Sequence, residues 1–308
     1  MLEFGGRLSK IQSNMKFTSF TFGIRKSICQ IITALLLAGA VASAQNTNGL
    51  ARPAMPFGPT LDVVPYVRAD GYTIQLSQAA VDVSRFPSLD QLPGKVPRQV
   101  WNGLAGAWAS SHARWAVTAS NDVGAVVFLG DSITAGWNSL ARDFPNFKVA
   151  NRGIGGDLTS GVLYRLRADV LNLKPAAIVL LIGTNDIGNN MDPDDVAANI
   201  RLILQAIKEY DPKLKVIVCK VMPRADGGRL TFVEKIRRAN SLVEEFVKGE
   251  PNFAICDTWS IYADETGAPN PADFNSDRLH LNAAGYKVWK TALDPVIAKL
   301  QLPENKAK

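Results

Sequence analysis

From Ala125 onward the apolar positions fall into two alternating patterns. Short unbroken runs, AVVFLG (125–130), FKVAN (147–151), AAIVLLIGTND (176–186), KVIVCKVMP (215–223) and FAICDTW (253–259), lack the polar alternation of a half-exposed strand. They read as five strands buried on both faces. The segments TSGVLYRLRADVLNL (159–173), DDVAANIRLILQAIKEY (194–210), LTFVEKIRRANSLVEEFVKG (230–249) and NAAGYKVWKTALDPVIAKL (282–300) repeat apolar residues at intervals of three and four, as helices with one buried face do. Buried strands separated by helices predict a five-stranded parallel sheet covered on both sides, an α/β three-layer αβα sandwich over residues 123–303. Sheets of this kind place ligands at the carboxyl ends of the strands, where strand order reverses.

Residues 45–122 break the pattern. Proline, glycine and polar residues dominate up to about 97, with a strand-like stretch at Tyr72–Leu76, and 97–120 has helical periodicity. This predicts an N-terminal extension packed on the main domain. Trp101, Leu104, Trp108 and Trp115 fall on one helical face, which reads as a set of core contacts, with an exposed aromatic platform for a sugar or a partner as the alternative.

Residues 28–44, ICQIITALLLAGAVASA, carry no charge, follow Arg25 and Lys26, and end in the small-x-small triplet Ala42-Ser43-Ala44. This is the make-up of a secretory signal peptide cut after Ala44; an uncleaved anchor is the alternative, although the run is short for a membrane span. MKFTSF at Met15 offers a second start with a more usual basic beginning. The expected product is secreted or periplasmic and has no stable membrane insertion. The charge picture changes with it. The whole chain has 34 Lys and Arg against 28 Asp and Glu, a net +6, but residues 1–44 hold five of the basic residues and one acidic one, so the remainder carries only +2. The basic balance belongs mostly to the leader, and no nucleic-acid partner follows from it.

Composition excludes other classes. At 47% hydrophobic and 20% charged the chain is neither disordered nor a disulfide scaffold. Beyond residue 44 the cysteines are Cys219 and Cys256, each in a strand-like run; they read as buried thiols, or as a disulfide if the strands are neighbours. Two histidines, His112 and His280, cannot build a multi-histidine zinc site, and no metal or other cofactor is expected. The acids around Pro193 in Met191-Asp192-Pro193-Asp194-Asp195 read as a helix start rather than a calcium site.

Four short blocks carry the chemistry. Gly130-Asp131-Ser132-Ile133-Thr134 follows the first strand, which puts Ser132 at the sheet edge and at a helix N-terminus, where free N–H groups favour developing negative charge. Asn151-Arg152-Gly153-Ile154-Gly155-Gly156-Asp157 follows the second, and its glycines let backbone N–H groups point into a site. Gly183-Thr184-Asn185-Asp186 follows the third, with Asn185 as a side-chain donor. Asp277-Arg278-Leu279-His280 precedes the last helix, and three residues of separation let the carboxylate reach Nδ1–H of the imidazole and leave Nε2 to accept a hydroxyl proton. Taken singly, Ser132 also reads as an N-cap, Asn185 as an Asx-turn and His280 as a satisfied polar residue. Asp131, beside the serine, is a candidate substrate contact; Arg224, after the fourth strand, reads either as a contact for an anionic or sugar substrate or as a surface salt bridge.

In this order the four blocks resemble the SGNH (GDSL-type) hydrolases, and the stretch from NRGIGGD to GTND is especially similar to platelet-activating-factor acetylhydrolase catalytic subunits. The resemblance covers about residues 124–300 and leaves the extension outside. It implies a flavodoxin-like sandwich and a cofactor-free serine esterase. At matching positions it makes Ser132 the nucleophile, His280 the base and Asp277 its partner, with an oxyanion hole formed by the backbone N–H groups of Ser132 and Gly156 and the Asn185 side chain. With secretion, it points to short acyl groups on an O-acetylated glycan; a phospholipid acylhydrolase, a broad arylesterase and a non-catalytic carbohydrate-binding module are the alternatives.

Overall fold

The computed structural model describes residues 82–302 and 304, and the backbone of four residues before them; the expected signal peptide and its cleavage point lie outside the described residues. Those four form a small antiparallel pair, β1 (Tyr66–Val67) with β2 (Thr73–Ile74), of which β2 lies inside the strand-like stretch Tyr72–Leu76. Helix α1 (Leu104–Thr118) follows. The chain then alternates: β3 (Val126–Gly130), the short helices α2 (Ser132–Ala135) and α3 (Leu140–Asp143), β4 (Val149–Gly153), α4 (Thr159–Asp169), β5 (Ala177–Leu181), the short α5 (Thr184–Gly188), α6 (Pro193–Tyr210), β6 (Lys215–Cys219), α7 (Val233–Val247), β7 (Phe253–Cys256) and α8 (Ala283–Leu300).

Every pairing in the main sheet is parallel, in the order β4-β3-β5-β6-β7. The order reverses between β3 and β5, whose ends carry the GDSIT and GTND blocks, so the crevice expected for a ligand opens where the candidate residues lie. Alternate strand residues supply two cores. Val127, Leu129, Ile178, Leu180, Val216 and Val218 pack with α4, α6 and α7, whereas Val126, Phe128, Val179, Leu181, Ile217 and Cys219 pack with α8 and Trp137. Each such side chain contributes about 1.5–3 kcal/mol on burial, which explains why the runs are apolar without alternation.

Among the described residues no helix is long and apolar enough to cross a membrane. Cys219 and Cys256 stand in register across β6 and β7 as buried free thiols with no disulfide between them, and burial pushes the Cys219 thiol up. Asp192 caps α6 by accepting the Asp194 N–H at 2.9 Å with Pro193 as the first helical residue, the helix start its sequence indicated.

The described part of the extension is fastened to this body. Leu104 and Trp108 are buried against Ile154, and the Trp108 indole N–H donates to the Val83 carbonyl at 2.5 Å. His112 faces the Trp108 carbonyl with Nδ1 (2.9 Å) and the Asp169 carboxylate of α4 with Nε2 (3.0 Å). Lys95 and Asn199 of α6 exchange two bonds, at 3.0 and 2.7 Å. One expectation is corrected: Trp101 does not share the buried face of Leu104, Trp108 and Trp115. The helix starts only at Leu104, in a turn closed by the Leu104 N–H on the Trp101 carbonyl (3.0 Å), and this leaves the Trp101 side chain 57% exposed.

Candidate active site

Ser132 is the first residue of α2, directly beyond β3. The chain turns there on Gly130, where a β-carbon would collide with the Leu181 carbonyl and the Thr134 hydroxyl, so only glycine fits between β3 and its neighbours. Asp131 caps the short helix, its Oδ1 accepting the Ile133 N–H at 2.9 Å.

His280 arrives from the loop after β7. Asp277 shapes that loop by accepting the backbone N–H groups of Leu279 and His280, both at 3.0 Å, through Oδ1. Its other oxygen meets His280 Nδ1 at 2.6 Å, and His280 Nε2 lies 2.8 Å from Ser132 Oγ. Partial burial acts to raise the Asp277 carboxyl, but the bonds from the His280 ring and from the two backbone N–H groups outweigh it and hold the group below the usual carboxylate range. A charged acceptor on Nδ1 fixes the imidazole tautomer with its lone pair on Nε2, facing the hydroxyl. A hydroxyl, an imidazole and a carboxylate in this chain can draw the proton off Oγ as it attacks a carbonyl carbon.

The donors expected beside this chain sit on adjacent strand ends. Gly130 is in register with Gly153 of β4 and Leu181 of β5, so the loops carrying Ser132, Gly156 and Asn185 leave the sheet side by side. Gly156 has φ of +80°, a conformation that favours glycine. The Asn185 amide donates one hydrogen to the Asp157 carbonyl at 2.9 Å, which ties the third loop to the second; among the described residues its other N–H makes no hydrogen bond.

The two candidate substrate contacts lie elsewhere. Asp131 is 1% exposed and occupied with its cap, so it faces the interior and not a ligand. Arg224 is buried as well; it donates to the Thr184 carbonyl at 2.8 Å and pairs with Asp226, which makes it a brace under the GTND loop. The proximity of each to a motif carried no information about the direction of its side chain.

Sequence reasoning missed the buried polar frame under the site. Arg165 of α4 is fully buried and donates to Asp157 (2.8 Å), Gly130 (3.1 Å) and Arg152 (2.9 Å), linking the ends of β3 and β4. Asp186 accepts the hydroxyl and N–H of Thr159 at 2.7 and 3.0 Å, capping α4 from across the crevice. Burial pushes Asp131 and Asp186 up to about 7, and Asp157 up to about 6 despite the Arg165 guanidinium. The signal in the sequence was an acid closing the second and third blocks, Asp157 and Asp186, and such an acid also suits a turn.

The GDSL-like lipase/acylhydrolase family model matches residues 128–288, just over half the chain, and spans Ser132, Gly156, Asn185, Asp277 and His280. The chain belongs to that family. It is therefore an ester hydrolase. Platelet-activating factor acetylhydrolase IB subunit alpha1 of Bos taurus is 30% identical over 219 residues, 68% of this chain and 91% of the relative. The alpha2 subunit of Homo sapiens is 31% identical over 208 residues, 65% and 88% of the two chains. Among solved structures, a GDSL-like lipase from Bacteroides thetaiotaomicron is 28% identical with a TM-score of 0.53, covering 61% of this chain and 97% of its own. Trp101 and α1 precede the family match.

Proposed function

We propose that this family member is a secreted or periplasmic serine esterase that removes acetyl groups from an O-acetylated carbohydrate. One observation carries the catalytic part: His280 Nε2 at 2.8 Å from Ser132 Oγ, with Asp277 at 2.6 Å on the opposite ring nitrogen. Ser132 attacks the ester carbonyl while His280 takes its proton. The Ser132 and Gly156 backbone N–H groups and the free N–H of Asn185 hold the oxyanion. His280 then protonates the leaving alcohol, and water repeats the sequence on the acyl-enzyme. No cofactor takes part.

The preference for a short acyl group is supported by the relatives named acetylhydrolases. The carbohydrate alcohol is supported by the leader-like segment before Gln45, which implies a product outside the cytoplasm, where acetylated polysaccharides occur. The names of those relatives equally favour a second reading, an acetylated phospholipid as substrate.

Hydrolysis of p-nitrophenyl esters of increasing acyl length tests the chemistry. Acetate is expected to be turned over with the highest kcat/KM, and Ser132→Ala to lower kcat by up to about 10⁶-fold. Unchanged turnover by the mutant removes Ser132 as nucleophile. A preference for long chains removes the acetyl assignment. Release of acetate from acetylated xylan, set against release from an acetylated phospholipid, decides the alcohol.

A further inference from the structure

We infer that Trp101 is a substrate-binding platform on which a pyranose ring of the acetylated substrate stacks; this rests on the carbohydrate reading above. The indole lies against Gly156, the residue assigned to the oxyanion. A β-carbon at Gly156 would stand 2.7 Å from Trp101 Cε3, and one at Gly103, on the tryptophan's own turn, would also collide with the ring. The ring therefore rests on the bare backbone of two glycines.

It is also held in place. Leu104, three residues later, is 1% exposed and bonded back to the Trp101 carbonyl at 3.0 Å, and upstream the paired bonds of Lys95 with Asn199 fix the segment to α6. Yet the side chain keeps 57% of its surface in water. A large, flat apolar group anchored at both ends and left open beside a catalytic loop is the form taken by aromatic binding surfaces.

Position and shape select the ligand. An acetyl group needs only the small space at the oxyanion, and its carbonyl oxygen must approach the Gly156 N–H. An open face at the rim of that loop meets the alcohol portion of the ester. Trp101 is the one aromatic residue among the exposed large apolar side chains of the described residues. A single indole face suits the flat apolar side of a sugar ring, whereas quaternary ammonium groups, as in a choline lipid, are bound in cages of several aromatics.

The test is acetate release, followed by pH-stat, from acetylated xylo-oligosaccharide, from ethyl acetate, which has no ring to stack, and from an acetylated choline phospholipid. Trp101→Ala is expected to raise KM for the oligosaccharide by about 10-fold with kcat unchanged, and to leave kcat/KM for ethyl acetate within about 2-fold. Trp101→Phe, which keeps a ring on the same glycines, should recover part of the loss. An unchanged KM for an oligosaccharide that the unmodified protein does hydrolyse overturns the platform and leaves the carbohydrate reading standing. Equal loss on oligosaccharide and ethyl acetate overturns it too, because Trp101 then only supports Gly156. A KM effect confined to the phospholipid reassigns the surface to a lipid headgroup. Hydrolysis of ethyl acetate without any hydrolysis of the oligosaccharide by the unmodified protein removes the carbohydrate reading itself, and the platform with it.

Discussion

Asp277 combines two tasks in one carboxylate. Oδ1 folds the turn by taking two backbone N–H groups and Oδ2 aims the imidazole, so the geometry of His280 is set locally, within four residues. Arg278, between them, has φ of +55°, a strained value for a residue with a side chain; its carbonyl accepts the Ala225 N–H at 3.1 Å, which helps to hold it there. This locality is why the approach of Ser132, Asp277 and His280 is legible from short motifs, whereas the burial of Asp131 and Arg224 is not: which way a side chain points depends on the caps and braces it makes. Asn185 provides a test at the same scale. Asn185→Ala is expected to lower kcat by about 10²–10³-fold with a small change in KM, if its free N–H meets the oxyanion. A change confined to KM would instead make the residue a tie between two loops, through its bond to Asp157.

The five strands were readable because both of their faces are buried, and the long helices because α6 and α7 each bury one side. Short elements were not. Thr184–Gly188 forms a helical turn where the run AAIVLLIGTND reads as strand to its end, because residues rich in glycine, asparagine and aspartate carry no periodic signal. The apolar attachment of α1 was readable from Leu104, Trp108 and Trp115, but its polar tie, His112 reaching Asp169 of α4, was not. With both ring nitrogens facing oxygens inside the fold, His112→Ala is expected to cost about 1–3 kcal/mol, seen as a lower Tm, while ethyl acetate turnover by the folded enzyme is retained. An unchanged Tm would mean that α1 is held by its apolar face alone.

For the whole molecule, three buried carboxyls at neighbouring strand ends make stability sensitive to acidity. Folded, Asp131 and Asp186 keep their protons up to about pH 7 and Asp157 up to about 6, because burial disfavours the charged form; unfolded, all three ionise near 3.8. The folded state thus binds more protons across that window, and stability falls as pH rises through it. The acids held low, such as Asp257 and Asp277, act in the opposite sense, and their contribution is lost only below that window. Tm is therefore expected to be higher at pH 5 than at pH 8, and Asp131→Asn, which keeps an oxygen for the Ile133 N–H, should reduce the difference. A Tm that rises steadily from pH 5 to 8 would show that these carboxyls ionise without cost.

Ser132 and His280 meet across 148 residues of chain, and the base comes from the loop leading into the final helix. Until that last segment docks, the serine has no partner to take its proton. On the proposed mechanism, hydrolytic competence therefore waits for residues 277–280: a chain truncated after Ser132 but before His280 is expected to be inert toward esters. The order of synthesis then works as a safety catch, and turnover reports that the loop before α8 has found its place.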